Sequence, residues 1–257
     1  MSTTAPRESP SAAAVYVYGV VARGSEPALA DDGVAGGTVG LVQHGDLAAL
    51  VSAMPSEQLR VRRRDLVSHL AVLERAFAAT TIVPCSFGTV LASEEAVRNG
   101  LLGARGDELH ALLRRLEGHV QLNVRARYDE DVLLRQIVAG DTGLQRLSER
   151  TVALGEAGYY ERIRLGELVA AAVADRRARE EQALYARLAP LAREIAPDEA
   201  GDEALKASFL VARNGLAGFD AELEGIAAEQ DGLLRLESIG PLPPTAFARL
   251  EEARWGS

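Results

Sequence analysis

The sequence predicts an α+β protein built as two domains. Segments rich in β-branched residues alternate with segments in which apolar residues recur every three to four positions, as expected where strands are followed by helices that pack on a sheet. The chain of 257 residues is also longer than the roughly 150 residues of an average domain. We therefore expect a disordered tail over residues 1–13, an N-terminal mixed sheet-and-helix domain over 14–140 and a C-terminal α+β domain over 141–257.

The N-terminal domain is predicted to begin after a polar, proline-punctuated tail, whose composition buries too little apolar surface to fold. Residues 14–21 (AVYVYGVV) are β-branched and aromatic and predict a buried strand. Two short apolar segments on either side of Gly45 predict a hairpin over 38–52. A helix is expected over 61–79, and its apolar stripe is formed by Leu66, Leu70, Leu73 and Phe77.

The rest of this domain is predicted to combine a broken strand, a helix and a long strand. Residues 80–93 are again β-branched, but Pro84 and Gly88 interrupt them, and proline belongs at a sheet edge or bulge because it cannot donate to a ladder. Ser93 predicts a helix start. Residues 119–128 (HVQLNVRARY) alternate between apolar and polar side chains and predict a strand with one solvated face.

The C-terminal domain is predicted to contain a long helix and then a strand, a helix and a strand. A short helical segment over 131–139 leads to the polar residues 140–143, where we place the domain boundary. Apolar residues at helical spacing then extend from Tyr159 to Ile195. The remaining elements are a strand over 206–213, a helix over 216–228 and a strand over 233–240.

The composition is that of an acidic globular protein. The 37 acidic and 28 basic residues give a net charge of −9, which repels phosphate backbones and anionic lipids and disfavours nucleic-acid or membrane partners. The single cysteine excludes an intramolecular disulfide and multi-cysteine metal motifs, as is typical of a reducing compartment. No apolar run reaches the roughly 20 residues of a membrane helix. These observations predict a soluble, intracellular protein.

The spacing of chemically active residues predicts no catalytic, cofactor-binding or metal site. The four histidines fall on separate predicted elements and form no metal-binding pair. Cys85 has no neighbouring base that would lower its pKa, so we expect a small buried residue. His69 lies near the apolar stripe of the first helix, and we expect it to be partly buried with one hydrogen bond. The glycine patterns match neither a phosphate loop nor a dinucleotide turn. We therefore predict that the chain is not an enzyme.

Three segments carry patterns that composition alone does not explain: YVYG over 16–19, TTIVPCSFGTVL over 80–91 and GPLPPTAF over 240–247. The last is stiffened by its prolines, and it fits a rigid chain reversal or a docking edge equally well. In this order the segments resemble the gas vesicle protein F/L family (GvpF/GvpL). The positions that carry the resemblance, either as partner contacts or as structural residues, are Tyr16, Tyr18, Gly19, His69, Pro84, Phe87, Gly88, Thr89, Gly240, Pro241, Pro243, Pro244 and Phe247.

The resemblance implies an accessory protein of gas vesicle formation. Such a protein is a minor vesicle component or an assembly factor that binds the small, hydrophobic major shell protein (GvpA type) and limits its aggregation during nucleation. The resemblance also implies contacts with other gas vesicle accessory proteins, and a modified ferredoxin-like fold with helical additions for the C-terminal domain. The implied location is cytoplasmic before assembly and then the gas vesicle, at the gas-facing inner surface of its shell. No cofactor is implied.

Two other functions stay open at the level of the sequence. A ferredoxin-like fold also occurs in small-molecule-binding proteins and enzymes, because one fold hosts many functions. A purely structural component of the vesicle wall, without chaperone-like action, would fit the same motifs.

Overall fold

The computed structural model describes residues 13–29, 32–54, 62–230 and 232–248. These residues form a mixed α+β structure with two sheets, which confirms the predicted fold class. The chain divides into two compact units, one formed by residues 1–120 with 242–257 and the other by residues 121–241. The predicted disordered tail over 1–13 lies, apart from Ala13, outside the described residues.

The first unit is built on a five-stranded antiparallel sheet. The strand order is β2-β3-β1-β4, and β5 also pairs with β1. The bounds are β1 (Val15–Ala22), β2 (Val39–His44), β3 (Leu47–Ala53), β4 (Ile82–Pro84) and β5 (Val90–Leu91). β2 and β3 form the predicted hairpin through Gly45, whose φ of 58° favours glycine. Residues 15–21 of the central β1 are all buried, so both faces of this strand are covered.

The helices of the first unit are α1 (Arg63–Ala79), a π-helical segment (Ala96–Gly103) and α2 (Gly106–Leu116). Both α1 and α2 pack against β1 and β4. Ser93 caps the π-helical segment as predicted, since its Oγ accepts a hydrogen bond from the amide of Ala96 at 3.1 Å. The predicted stripe of α1 is wrong in part, because Leu66 and Leu70 are exposed while Asp65 and His69 face inward.

The second unit has the strand and helix order of a ferredoxin-like fold, with three helices in place of the first one. Its sheet order is β7-β8-β6-β9, and its core includes the edge-to-face pair Phe209 and Phe219. The bounds are β6 (His119–Tyr128), α3 (Glu130–Gly140), α4 (Thr142–Leu154), α5 (Tyr159–Leu188), β7 (Glu194–Pro197), β8 (Leu205–Ala212), α6 (Leu216–Glu229) and β9 (Leu234–Leu242).

The long helix is shorter than predicted, and Ile195 does not belong to it. α5 ends at Leu188, a short 3-10 turn over 189–191 follows, and Ile195 lies in β7, where it pairs with Phe209 of β8. Pro190 has no amide hydrogen for a continuing α-helix, so the periodicity across it was misleading.

The division into units falls at residue 121 rather than between 140 and 141. β6 pairs with β8 and β9, which makes it part of the second sheet. The polar residues 140–143 form a helix start instead of a linker, because Oδ1 of Asp141 accepts hydrogen bonds from the amides of Gly143 (2.7 Å) and Leu144 (3.1 Å).

Candidate functional site

The motif positions of the first unit meet in one aromatic cluster. Tyr16 and Tyr18 of β1 have ring centroids 4.9 Å apart, and the ring of Tyr18 stacks on His69 of α1 at 5.8 Å. Phe87, between β4 and β5, lies edge-on to His69 at 5.6 Å. Both tyrosines are fully buried and His69 is 2% exposed, so the histidine is more deeply buried than predicted.

Hydrogen bonds join the polar groups of this cluster. The amide of Gly88 donates to the hydroxyl of Tyr16 at 3.0 Å, and the same hydroxyl lies 3.0 Å from Nδ1 of His69. In the tautomer of His69 that carries its hydrogen on Nε2, Nδ1 is an acceptor and the hydroxyl of Tyr16 donates its single hydrogen to it. His69 also forms a hydrogen bond with the backbone of Cys85. His69 therefore makes two hydrogen bonds where the sequence predicted one.

Burial keeps His69, Cys85, Tyr16 and Tyr18 uncharged at neutral pH. It lowers the pKa of His69 to about 4 and raises the pKa of Cys85 to about 12. Burial likewise raises the pKa of the Tyr16 and Tyr18 hydroxyls. A thiol that stays protonated is a poor nucleophile and an imidazole with so low a pKa is a weak base, so the cluster is suited to holding the fold.

The same face of α1 ties a neighbouring loop to the sheet. The hydroxyl of Tyr18 contacts Oγ of Ser52 at 2.9 Å and accepts a hydrogen bond from the amide of Val34 at 2.8 Å. The buried carboxylate of Asp65 accepts from the amide of Ala35 at 3.2 Å. These polar partners explain why Asp65 faces inward and Leu66 outward. Ser52 and Asp65 were not predicted as members of this cluster, because their partners are distant in sequence.

Gly19 and Pro84 have structural roles beside the cluster. The pairing of β1 with β3 shifts register between Val17 and Gly19, which leaves a bulge at Tyr18. A Cβ on Gly19 would lie 2.8 Å from the carbonyl oxygen of Val83, so no other residue fits without moving β4. Pro84 pairs with Gly19 and belongs to β4, the last strand in the order β2-β3-β1-β4. An edge strand is where a proline is expected in a sheet.

The late motif is divided between the end of β9 and the segment that follows it. Gly240 and Pro241 are exposed residues of β9. The next residues form turns, in which the amide of Phe247 bonds to the carbonyl of Pro244 at 3.1 Å. Pro243, Pro244 and Phe247 are buried, and the guanidinium of Arg115 donates to the carbonyl of Phe247. Burial of most motif positions leaves Gly88, Gly240 and Pro241 as the exposed ones.

α4 and the first half of α5 carry an exposed apolar surface that the sequence does not predict. We call this segment, residues 142–172, the helical arm. Only Leu144, Thr151 and Gly158 of the arm are buried. Val152 and Tyr160 are each 80% exposed. The arm contains four arginines and four glutamates, so its net charge is zero in a chain whose total is −9. The exposed large apolar side chains of the arm are Val152, Leu154, Tyr159, Tyr160, Ile163 and Leu168.

Across the described ranges, no group of three His, Cys, Asp or Glu residues is placed to hold a metal ion. Among the described helices, none combines the length and the apolar composition that a membrane-spanning segment requires.

Sequence comparisons relate the whole chain to one group of proteins. Residues 14–249 match the family model described as gas vesicle synthesis protein GvpL/GvpF. Gas vesicle protein F of Streptomyces sp. (strain CB03234) is 37% identical over 237 residues, which cover 90% of this chain and 98% of that protein. Gas vesicle protein F of a Nostoc strain is 28% identical over 206 residues, or 78% of this chain and 84% of that protein.

Solved structures agree with this relationship. The crystal structure of the gas vesicle protein GvpF from Anabaena sp. PCC7120 matches with a TM-score of 0.80 at 25% identity, covering 93% of this chain and 99% of that one. GvpF from Microcystis aeruginosa shares the fold, with a TM-score of 0.71 at 23% identity over 93% of this chain and 100% of that one. The resemblance suggested by the sequence motifs is therefore confirmed, and the chain belongs to the gas vesicle GvpL/GvpF family.

Proposed function

We propose that this member of a gas vesicle family binds the small, hydrophobic major shell protein, of the GvpA type, and limits its aggregation during vesicle nucleation. Family membership supports the accessory role in gas vesicles. The observation that carries the finer proposal is the exposed apolar surface of the helical arm. Large apolar patches on a protein surface mark interaction sites, and a shell protein that packs into a gas-filled wall exposes apolar surface before assembly.

The arm has the chemistry that such a partner needs. Tyr159 and Tyr160 are exposed, and their rings contact each other edge-on at 5.6 Å; tyrosines give large contact areas at low entropy cost. Ile163 and Leu168 are further exposed apolar side chains of α5. Exposed apolar side chains on a helix fit a partner helix or groove. The arm itself carries no net charge, while the net charge of −9 on the whole chain would keep the complex in solution.

We propose binding rather than catalysis as the role of the chain. In support, the histidine and the cysteine of the motif cluster are held uncharged by burial, and their hydrogen bonds join the sheet to α1 and to the loop after β4. Other gas vesicle accessory proteins are further expected partners.

An affinity capture experiment tests the binding proposal. Tagged protein is captured from cells that also express the shell protein, as wild type, as Val152→Ser/Tyr160→Ser and as the control Leu66→Ser/Val67→Ser, which removes exposed apolar side chains from α1 instead. We expect wild type and control to retain the shell protein and the arm variant to lose it. Equal capture by all three, or by none, would reject the arm as the docking surface. The same alleles in cells lacking the gene should restore vesicle numbers in the same order.

We further propose that the chain remains in the finished vesicle, at the gas-facing inner surface of the shell. Protease treatment of intact and pressure-collapsed vesicles tests this location. Protection in intact vesicles and cleavage after collapse are expected, whereas cleavage in intact vesicles would place the chain outside.

A further inference from the structure

The outer edge of β9 is an unpaired sheet edge. β9 is the last strand in the order β7-β8-β6-β9, and among the strands that the structure describes only β6 pairs with it. Eight of its nine residues are partly or largely exposed, and Arg235, Glu237 and Ser238 are among the exposed ones. Proteins usually protect such edges, because the free amides and carbonyls can pair with another strand.

Two hydrogen bonds establish which backbone groups of β9 point outward. The amide of Asp129, just after β6, donates to the carbonyl of Leu233 at 2.9 Å, and the carbonyl of Ala126 accepts from Ala204 at 2.7 Å on the side of β8. Because successive residues of a strand point to opposite sides, the backbone groups of Arg235 and Glu237 face β6. Those of Leu234, Leu236 and Ser238 therefore face outward, and each includes an amide hydrogen.

The side chains of this segment are complementary to themselves. Consider an antiparallel pairing of two β9 strands centred on Leu236. Leu234 of each copy then lies opposite Ser238 of the other, and Arg235 of each copy lies opposite Glu237 of the other. The pair of Leu234 and Ser238 is a hydrogen-bonded position of the ladder. The pair of Arg235 and Glu237 is a non-hydrogen-bonded position, where opposite side chains approach most closely. Arg235 forms no salt bridge within the described ranges, so its guanidinium is available. Pro241, which lacks an amide hydrogen, falls outside this ladder.

The helix-side face of the strand supports the same register. Leu234 belongs to the core of the second unit and Leu236 packs partly against it. Leu236 lies on the two-fold axis of this pairing. The two Leu236 side chains would contact each other next to the cores of the two second units, and each would bury the exposed part of the other. Arg235 and Glu237 lie on the opposite face, where Glu237 pairs with Arg127 at 3.3 Å.

We propose that a second copy of this chain docks at β9, so that two sheets join edge to edge through antiparallel pairing of residues 234–238 about Leu236. This symmetric contact is isologous, because the same segment serves both copies. It does not depend on the proposed binding of the shell protein. A five-residue ladder predicts a weak dimer that forms as the protein concentration rises.

Charge reversal tests the register. The association state of the purified chain is measured by sedimentation over a range of concentrations. In Arg235→Glu, both pairs of residues 235 and 237 would bring two glutamates opposite each other. The dissociation constant of the dimer should therefore rise about tenfold. Arg235→Glu/Glu237→Arg restores both pairs and should recover much of the lost affinity. A chain that is monomeric throughout, or a dimer that is indifferent to both changes, would overturn the proposal, and the second result would point to another interface.

A cross-link test does not rely on ion pairs. In the proposed register residue 236 is the one position that faces itself, with Cα atoms about 5.5 Å apart, within disulfide range. Mild oxidation should convert Leu236→Cys to a covalent dimer, while the neighbouring Ser238→Cys, which faces residue 234, should stay largely uncross-linked. Cys85 is buried, so the wild type, which has this cysteine alone, measures the background level of cross-linking. Equal cross-linking of both variants, or of neither, would contradict the register.

Discussion

The hydroxyl of Tyr16 lies 3.0 Å from Nδ1 of His69, although the two residues are 53 positions apart. This contact joins the central strand to the first helix, and the hydroxyl also accepts a hydrogen bond from the amide of Gly88. The family motifs around Tyr16 and Gly88 thus meet at one buried oxygen atom. In this arrangement they join β1, α1 and the loop after β4 within the first unit, while the exposed helical arm belongs to the second unit.

Removing the Tyr16 hydroxyl should destabilise the first unit. Tyr16→Phe leaves Nδ1 of the buried His69 without its hydrogen-bond partner, at a cost of about 2 kcal/mol in the free energy of unfolding. Denaturant titration followed by circular dichroism measures this change. Tyr160→Phe is the matched control, because that ring is 80% exposed and its change should have an effect near zero. A loss below about 0.5 kcal/mol for Tyr16→Phe would mean that the hydrogen bond contributes little.

The stability of the first unit should fall in mild acid because of His69. Its pKa is about 4 in the folded chain against 6.5 for an ordinary histidine, so the unfolded state binds the proton first. Stability is therefore unaffected above pH 6.5 and decreases as the pH falls from 6.5 to 4, by about 3 kcal/mol. In His69→Gln this part of the pH dependence should vanish, while the decrease caused by carboxylates remains. Identical pH profiles for the two proteins would show that His69 is not buried as described.

The close approach of β4 to β1 should make Gly19 intolerant of a side chain. Gly19→Ala places its Cβ 2.8 Å from the rigid carbonyl oxygen of Val83, and we expect a loss of more than about 2 kcal/mol in unfolding free energy. Gly40→Ala in β2 is the control, because its Cβ would have no atom within 4 Å. Similar melting temperatures for both variants would contradict the close packing of these strands.

Cys85 should resist alkylation in the native protein. The thiol is buried and its pKa is raised to about 12, so thiolate is scarce and reagent access is blocked. Mass spectrometry after iodoacetamide treatment at pH 8 should show unmodified protein without denaturant and complete modification with it. Rapid modification of the native chain would indicate that the loop after β4 opens readily.

The sequence predicts the elements of this fold better than it predicts their faces. Residues 14–21 and the hairpin through Gly45 are recognisable because composition and turn chemistry act locally. The inward face of α1 is not, since apolar periodicity favours Leu66 and cannot show that Asp65 and His69 have buried polar partners. The sequence predicts too long a helix here, because apolar residues at helical spacing continue past Pro190. Proline has no amide hydrogen for the next helical hydrogen bond, and this property indicates that the helix ends there. Exposure of Tyr160 depends on tertiary packing, which spacing alone does not reveal.

Light scattering of the shell protein during dilution from denaturant tests the central proposal most directly. Purified wild-type chain, Val152→Ser/Tyr160→Ser and Leu66→Ser/Val67→Ser are compared at equal concentration. If the helical arm shields the apolar surface of the shell protein, wild type and the α1 control should suppress scattering to the same extent, and the arm variant should lose most of that effect while remaining folded by circular dichroism. Scattering that wild type leaves unchanged, or that the arm variant suppresses equally well, would contradict the account.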